Sequence, residues 1–129
     1  MIDAEKQIVY WRKGAEEDIA VARELLEKKR IRHGLFFVHL SLEKMLKAHF
    51  CRMTREVAPK QHNLLKLAER AGLSLDEETL DLLAVVNFFC LEGRYPDTLI
   101  PEPDTEEAAT YLLKVEKVLE WLSRQFELS

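Results

Sequence analysis

Apolar residues recur at spacings of three and four along most of this 129-residue chain, which is the period of one face of an α-helix. Over residues 3–29 the pattern predicts a first long helix with one apolar stripe. A second helix is predicted over residues 34–53, and its apolar side chains extend around most of its circumference. We therefore expect this second helix at the centre of the fold.

Turn signals separate two further helices from this pair. Residues 56–61 read as a loop, after which Asn63 can cap a short third helix that ends at Gly72. Asp76 and the acidic residues after it then open a fourth helix over residues 80–93. Because the fourth helix has little polar surface, we expect it to be buried in the core or against a second subunit.

Three prolines interrupt the chain between residues 94 and 103, which excludes a regular helix there. Asp104 and Glu107 then match a capping box, and the apolar period of the following residues predicts a final amphipathic helix. No repeat and no credible pair of strands is present. The sequence predicts an all-α fold, a five-helix up-and-down bundle, as a single domain spanning residues 1–129.

Charge and composition exclude several classes of function. The formal net charge of −4 argues against general electrostatic binding of nucleic acid. No apolar run reaches the length of a membrane span and no signal-peptide pattern is visible, so we expect a cytoplasmic protein that does not bind membranes. The 2 cysteines lack CxxC spacing, and HExxH, GxGxxG, Walker and GxSxG motifs are absent. We therefore predict no cofactor and no metal site.

Polar residues that interrupt an apolar face are the candidates for function, because a buried polar group costs free energy unless it is paired. His39 and Glu43 lie in the middle of the apolar arc of the second helix, one turn apart, where they could hydrogen-bond each other. Lys47 lies one turn further along, and Asp18 lies at the edge of the apolar stripe of the first helix. Two interpretations are open: a structural network that fixes helix register, or a ligand-facing cluster that lines a groove.

Two further positions carry candidate chemistry. His62, before the third helix, is either a helix-entry residue or a titratable group facing the same groove. The other position, directly after the fourth helix, is the run Arg94, Tyr95, Pro96 and Asp97. If that helix reaches Arg94, then Asn87, Cys90 and Arg94 line one face. The guanidinium of Arg94 then points back along the bundle. It can then bind a phosphate or carboxylate in bidentate fashion, or cap the carbonyls of a helix end.

Four runs together resemble the HEPN family over nearly the whole chain: AEEDI at 15–19, FFVHLSLEKMLKA at 36–48, QHNL at 61–64 and RYPD at 94–97. The resemblance implies a helical bundle, usually a homodimer, with a groove associated with nucleotide or RNA. It also implies a partner, since many small HEPN proteins are paired with a minimal nucleotidyltransferase in toxin–antitoxin modules.

Catalytic HEPN members carry an arginine followed four to six residues later by a histidine, which form a metal-independent ribonuclease site across the dimer. Here Arg94 is the candidate arginine, and no histidine occurs after His62. The departure argues against ribonuclease activity, because a general base poised near neutral pH is then missing. We therefore predict no catalytic residues.

The leading hypothesis is therefore a non-catalytic binding subunit, in which Arg94 and Lys47 engage a phosphate while other polar residues organise the groove. The candidate ligand-binding residues are Asp18, His39, Glu43, Lys47, His62, Arg94, Tyr95 and Asp97. One alternative is a divergent ribonuclease that uses Arg94 with His39 or His62. Another is a purely structural interaction module whose partner is a nucleotidyltransferase or its own copy.

Overall fold

The structure of the protein is a computed structural model, and it describes residues 2–90 and 103–128. These residues form five α-helices and contain no strand, which confirms the predicted all-α class. The helices are α1 (Ala4–Glu27), α2 (Ile31–Thr54), α3 (Leu64–Arg70), α4 (Glu77–Val86) and α5 (Thr105–Gln125). No helix in these two stretches is long and apolar enough to cross a membrane.

Helices α1 and α2 form a tight hairpin. Asp3 caps the start of α1, where its carboxylate accepts a hydrogen bond from the backbone N–H of Lys6 at 3.1 Å. Lys29 takes a left-handed conformation, with φ of 62°, and turns the chain into α2. A Cβ atom on Gly34 would lie 2.6 Å from Cδ2 of Leu26, so only glycine permits this close approach of the two helices.

Helix α2 is the centre of the fold, as its apolar circumference predicts. It packs against α1, α3, α4 and α5. Most of its side chains from Gly34 to Cys51 are buried. The apolar core around it draws side chains from every helix and includes Ala15, Ala22, Leu42, Leu46, Leu67, Leu83, Val115 and Leu122. Polar residues on α2 are therefore forced to find partners inside the protein.

Helix α4 opens at its predicted cap but ends earlier than predicted. The Asp76 side chain accepts a hydrogen bond from the backbone N–H of Thr79 at 2.8 Å, and the helix begins at Glu77, three residues before the predicted apolar run. Its α-helical part ends at Val86 and tightens into a single 3₁₀ turn, Asn87–Phe89. Cys90 is already extended, with φ of −70° and ψ of 127°. The predicted continuous helix to about residue 93 is therefore wrong, and the proposed face shared by Asn87, Cys90 and Arg94 loses its basis.

Helix α5 begins and ends with specific contacts. The predicted capping box is present, since Asp104 and Glu107 each bind the other's backbone N–H through a side-chain oxygen. At the other end, the Leu122 carbonyl lies 2.8 Å from Nε2 of His49. The Gln125 carbonyl accepts a hydrogen bond from Arg52 at 2.6 Å. These two bonds attach the last turns of α5 to α2.

Candidate functional site

The buried carboxylate of Glu43 is the centre of the polar cluster on α2. Its Oε1 atom lies 3.0 Å from Nδ1 of His62, and its Oε2 atom accepts a hydrogen bond from Nζ of Lys47 at 3.0 Å. Nδ1 of His39 lies 3.8 Å from the same Oε1 atom. The structure thus brings together four of the eight candidate residues, with His39, Lys47 and His62 around the carboxylate of Glu43.

His39 is a buried member of the cluster, with 1% of its surface exposed. Its Nε2 atom lies 3.0 Å from the backbone carbonyl of His62, which can only accept, so Nε2 carries the proton. Nδ1 has no hydrogen-bond partner among the residues that the structure describes, and 3.8 Å is too long for the hydrogen bond to Glu43 that helix spacing allows. Burial lowers the pKa of His39 below its ordinary value, against the opposing attraction of Glu43.

Lys47 is paired inside the protein and is not presented to solvent. Only 6% of its surface is exposed, and its ammonium is hydrogen-bonded to Glu43. The same ammonium lies 5.1 Å from the centroid of the Trp11 ring, within the range of a cation–π contact. In this conformation the Lys47 ammonium balances the charge of Glu43. Its position therefore does not fit the direct phosphate contact that we expected of it.

His62 is the member of the cluster that reaches the surface, with its side chain 54% exposed. The loop before α3 holds it in place, because the Gln61 side chain accepts hydrogen bonds from the backbone N–H groups of His62 and Asn63. Asn87, in the 3₁₀ turn, anchors the same segment because its side-chain oxygen accepts a hydrogen bond from the backbone N–H of Leu64 at 2.9 Å. When His62 is neutral, the Glu43 carboxylate selects the tautomer with the proton on Nδ1, which makes Nε2 the acceptor nitrogen.

Asp18 belongs to a separate pair. Its Oδ2 atom lies 2.7 Å from Nζ of Lys44 in an ion pair, although the alignment is too poor for a hydrogen bond. The Lys44 side chain reaches it by crossing α1 at Gly14, where a Cβ atom would lie 3.0 Å from Cδ of Lys44. Sequence reasoning missed Lys44, because helical spacing does not say which residues of two helices meet. The remaining candidates, Arg94, Tyr95 and Asp97, lie outside the described residues.

A second polar cluster, absent from the sequence predictions, surrounds Phe126 at the end of α5. The guanidinium carbons of Arg12 and Arg52 lie 4.4 and 5.3 Å from the centroid of its ring. The buried His49 ring packs against it, with centroids 4.1 Å apart. Burial lowers the pKa of His49, and the two arginines act in the same direction. A histidine on the most buried helix is the signal that could have pointed to this cluster.

Comparison with known proteins identifies the family. The model of the HEPN domain matches residues 8–125. The chain belongs to the HEPN family. Among curated proteins no relative matches this HEPN chain. Two solved structures share its fold.

The first of these is TT1696 from Thermus thermophilus. It is 19% identical, with a TM-score of 0.77, and the match covers 92% of this HEPN chain and 97% of TT1696. The second is ST0689, described as an archaeal HEPN homologue. It is also 19% identical, with a TM-score of 0.70, and the match covers 97% of this chain and 98% of ST0689. The likeness confirms the helical fold.

The polar cluster of this HEPN protein limits what its site can do chemically. In residues 2–90 and 103–128, no group of three or more histidine, cysteine or acidic side chains is placed to hold a metal ion. The Glu43 charge is balanced internally by Lys47, and burial lowers the pKa of His39. The group that this arrangement orients towards the surface is the imidazole of His62. About half of that side chain is exposed, so it can contact a bound molecule.

Proposed function

We propose that this HEPN protein binds a nucleotide or RNA without turning it over, and that His62 is a ligand-contacting residue. The observation that supports this proposal is the 3.0 Å contact between the buried Glu43 carboxylate and Nδ1 of the half-exposed His62. A fixed imidazole binds at a lower entropic cost than a freely rotating one. Its side chain is 54% exposed, so the imidazole can contact a bound ribose, base or phosphate.

Within this proposal the other cluster members have supporting roles. Glu43 orients His62, while Lys47 balances the carboxylate and His39 binds the backbone carbonyl of the residue it supports. Arg94 is proposed as the phosphate-binding group, because a guanidinium binds phosphate in bidentate geometry. Tyr95 and Asp97 are proposed to lie in the same ligand site.

Isothermal titration calorimetry of the full chain with mononucleotides, dinucleotides and short RNAs tests the proposal. We expect saturable binding that is lost in His62→Ala and in Arg94→Ala, with the RNA intact afterwards. His33→Ala is the matched control, because His33 is exposed on the first turn of α2 and outside the cluster. Equal affinity in the His62→Ala, His33→Ala and unmodified proteins would contradict the role assigned to His62.

The same contact favours one second candidate function, a divergent metal-independent ribonuclease. A carboxylate that fixes an imidazole is a common arrangement for a general base, and here it would activate the 2′-hydroxyl of RNA. This alternative expects RNA cleavage that disappears in His62→Ala and Arg94→Ala, whereas the binding proposal expects intact RNA. Gel analysis of a labelled RNA after incubation separates the two.

A partnership with a minimal nucleotidyltransferase is proposed on the family resemblance. Copurification of the tagged chain with a nucleotidyltransferase encoded beside it would support the partnership. A tagged chain that does not retain that enzyme would count against it.

A further inference from the structure

The polar cluster around Phe126 places two arginines from different helices on one aromatic ring. The guanidinium carbons of Arg12, on α1, and Arg52, on α2, lie 4.4 and 5.3 Å from the centroid of the Phe126 ring. Their separation therefore cannot exceed the sum of these two distances. Both arginines are partly exposed, so their charges can be reached from solvent.

No carboxylate balances these two charges within the described residues. Arg124, in the last turn of α5, forms an ion pair with Glu120. Neither Arg12 nor Arg52 forms such a pair in the same part of the structure. The carboxyl end of α5 offers them only the partial charge of a helix terminus, about half an elementary charge. A net positive charge therefore remains beside Phe126.

Most hydrogen-bond donors of the two arginines are also unused by the described residues. Arg12 donates one hydrogen bond to Oγ of Ser123 at 3.1 Å, and Arg52 donates one to the carbonyl of Gln125 at 2.6 Å. Each arginine has five N–H donors in one plane, so most of them remain. A contact with an aromatic face leaves those donors available at the edge of the plane. Planar donors of this kind bind phosphate oxygens in pairs.

The position of the cluster and the charge of the chain limit the ligand. Phe126 follows α5, which has 21 residues and a length of about 32 Å, whereas the described chain resumes at Pro103, before the other end of this helix. The formal net charge of −4 disfavours a long polyanion, because the rest of the surface repels it. A compact anion meets mainly the two guanidinium groups.

We propose that Arg12 and Arg52 bind the phosphate group of a small phosphorylated molecule, with Phe126 holding the two guanidinium groups in place. One phosphate bridges both side chains and offsets both charges. These residues are not members of the Glu43 cluster, so neither the argument nor the test depends on the ligand binding proposed at His62.

Titration of the full chain with inorganic phosphate, at an ionic strength held constant with chloride, tests the proposal. NMR signals of the arginine Nε–H groups should shift saturably for Arg12 and Arg52, and should stay in place for Arg124. Arg12→Gln and Arg52→Gln should each weaken binding by about tenfold, because each removes charged hydrogen bonds to the phosphate. Arg124→Gln is the matched control, since it removes the same charge from the last turn of α5.

His49 supplies a second readout, because its ring packs against Phe126. Burial lowers the pKa of His49, and the charges of Arg52 and Arg12 lower it further. A phosphate bound to the two arginines offsets their charges. Phosphate should therefore raise the pKa of His49 in an NMR titration of the imidazole, and Arg12→Gln should abolish this effect.

Further ligands and one more variant decide what the cluster binds. Glycerol phosphate should compete with inorganic phosphate, whereas a short RNA without terminal phosphates should not. His62→Ala should bind phosphate like the unmodified protein, which separates this cluster from the site proposed at His62. The Nε–H signals are read on the unmodified chain, so the proposal stays testable if a variant fails to fold.

Four results would overturn the proposal. They are the absence of saturable shifts at Arg12 and Arg52, an equal loss of binding in Arg124→Gln, failure of glycerol phosphate to compete, and competition by the RNA. Loss of phosphate binding in His62→Ala, with both glutamine variants unaffected, would also contradict it, because the phosphate would then bind at the Glu43 cluster.

Discussion

Replacing Glu43 with glutamine is expected to destabilise the protein strongly. The substitution keeps the size of the side chain but removes the negative charge beside the Lys47 ammonium, which is buried and 3.0 Å away. Removing one partner of a buried ion pair costs about 3 to 5 kcal/mol, because the other charge stays buried without compensation. That loss is large for a domain of this size, whose total stability is typically about 5 to 15 kcal/mol.

Equilibrium unfolding in urea measures the effect as a shift of the midpoint at constant slope. The matched variant Glu43→Gln with Lys47→Met removes both charges and should recover most of the loss, since a neutral replacement of a buried pair is often well tolerated. A loss below about 1 kcal/mol, or a double variant as unstable as the single one, would refute this reasoning.

Three further predictions follow from other contacts. Burial lowers the pKa of His39 and of His49 below 6.5, so the unfolded chain binds more protons and urea midpoints should fall as the pH drops through that value. Gly34→Ala should cost about 1 to 3 kcal/mol in urea unfolding, because the added methyl group meets Leu26. Asp104→Ala should cost about 1 kcal/mol in the same assay, through loss of the α5 cap.

The sequence predicts the elements of this fold well because most of them are marked locally. Asn63, Asp76 and Asp104 each cap the helix that they were expected to open. The end of α4 carries no such mark, since apolar residues continue past Val86 into the 3₁₀ turn. Periodicity alone therefore overestimates the length of this helix.

The candidate site was predictable only as far as one helix determines it. Spacing on α2 places His39, Glu43 and Lys47 on one buried face, and the structure confirms that face. The partners depend on how separate segments meet. The loop before α3 brings His62 to Glu43, and the crossing of α1 and α2 pairs Asp18 with Lys44. Helical spacing predicts contacts within one helix, so it could predict neither the contact of His62 with Glu43 nor that of Asp18 with Lys44.

The two oxygens of Glu43 divide structural and functional roles in a way that experiments can separate. Oε2 binds the buried Lys47, whereas Oε1 faces the half-exposed His62. Removing the His62 side chain strips no charge from a buried partner, because Glu43 keeps Lys47. A His62→Ala variant should therefore retain most of its stability. If it also loses nucleotide binding, the loss reflects the site and not the fold, which a Glu43 substitution could never show.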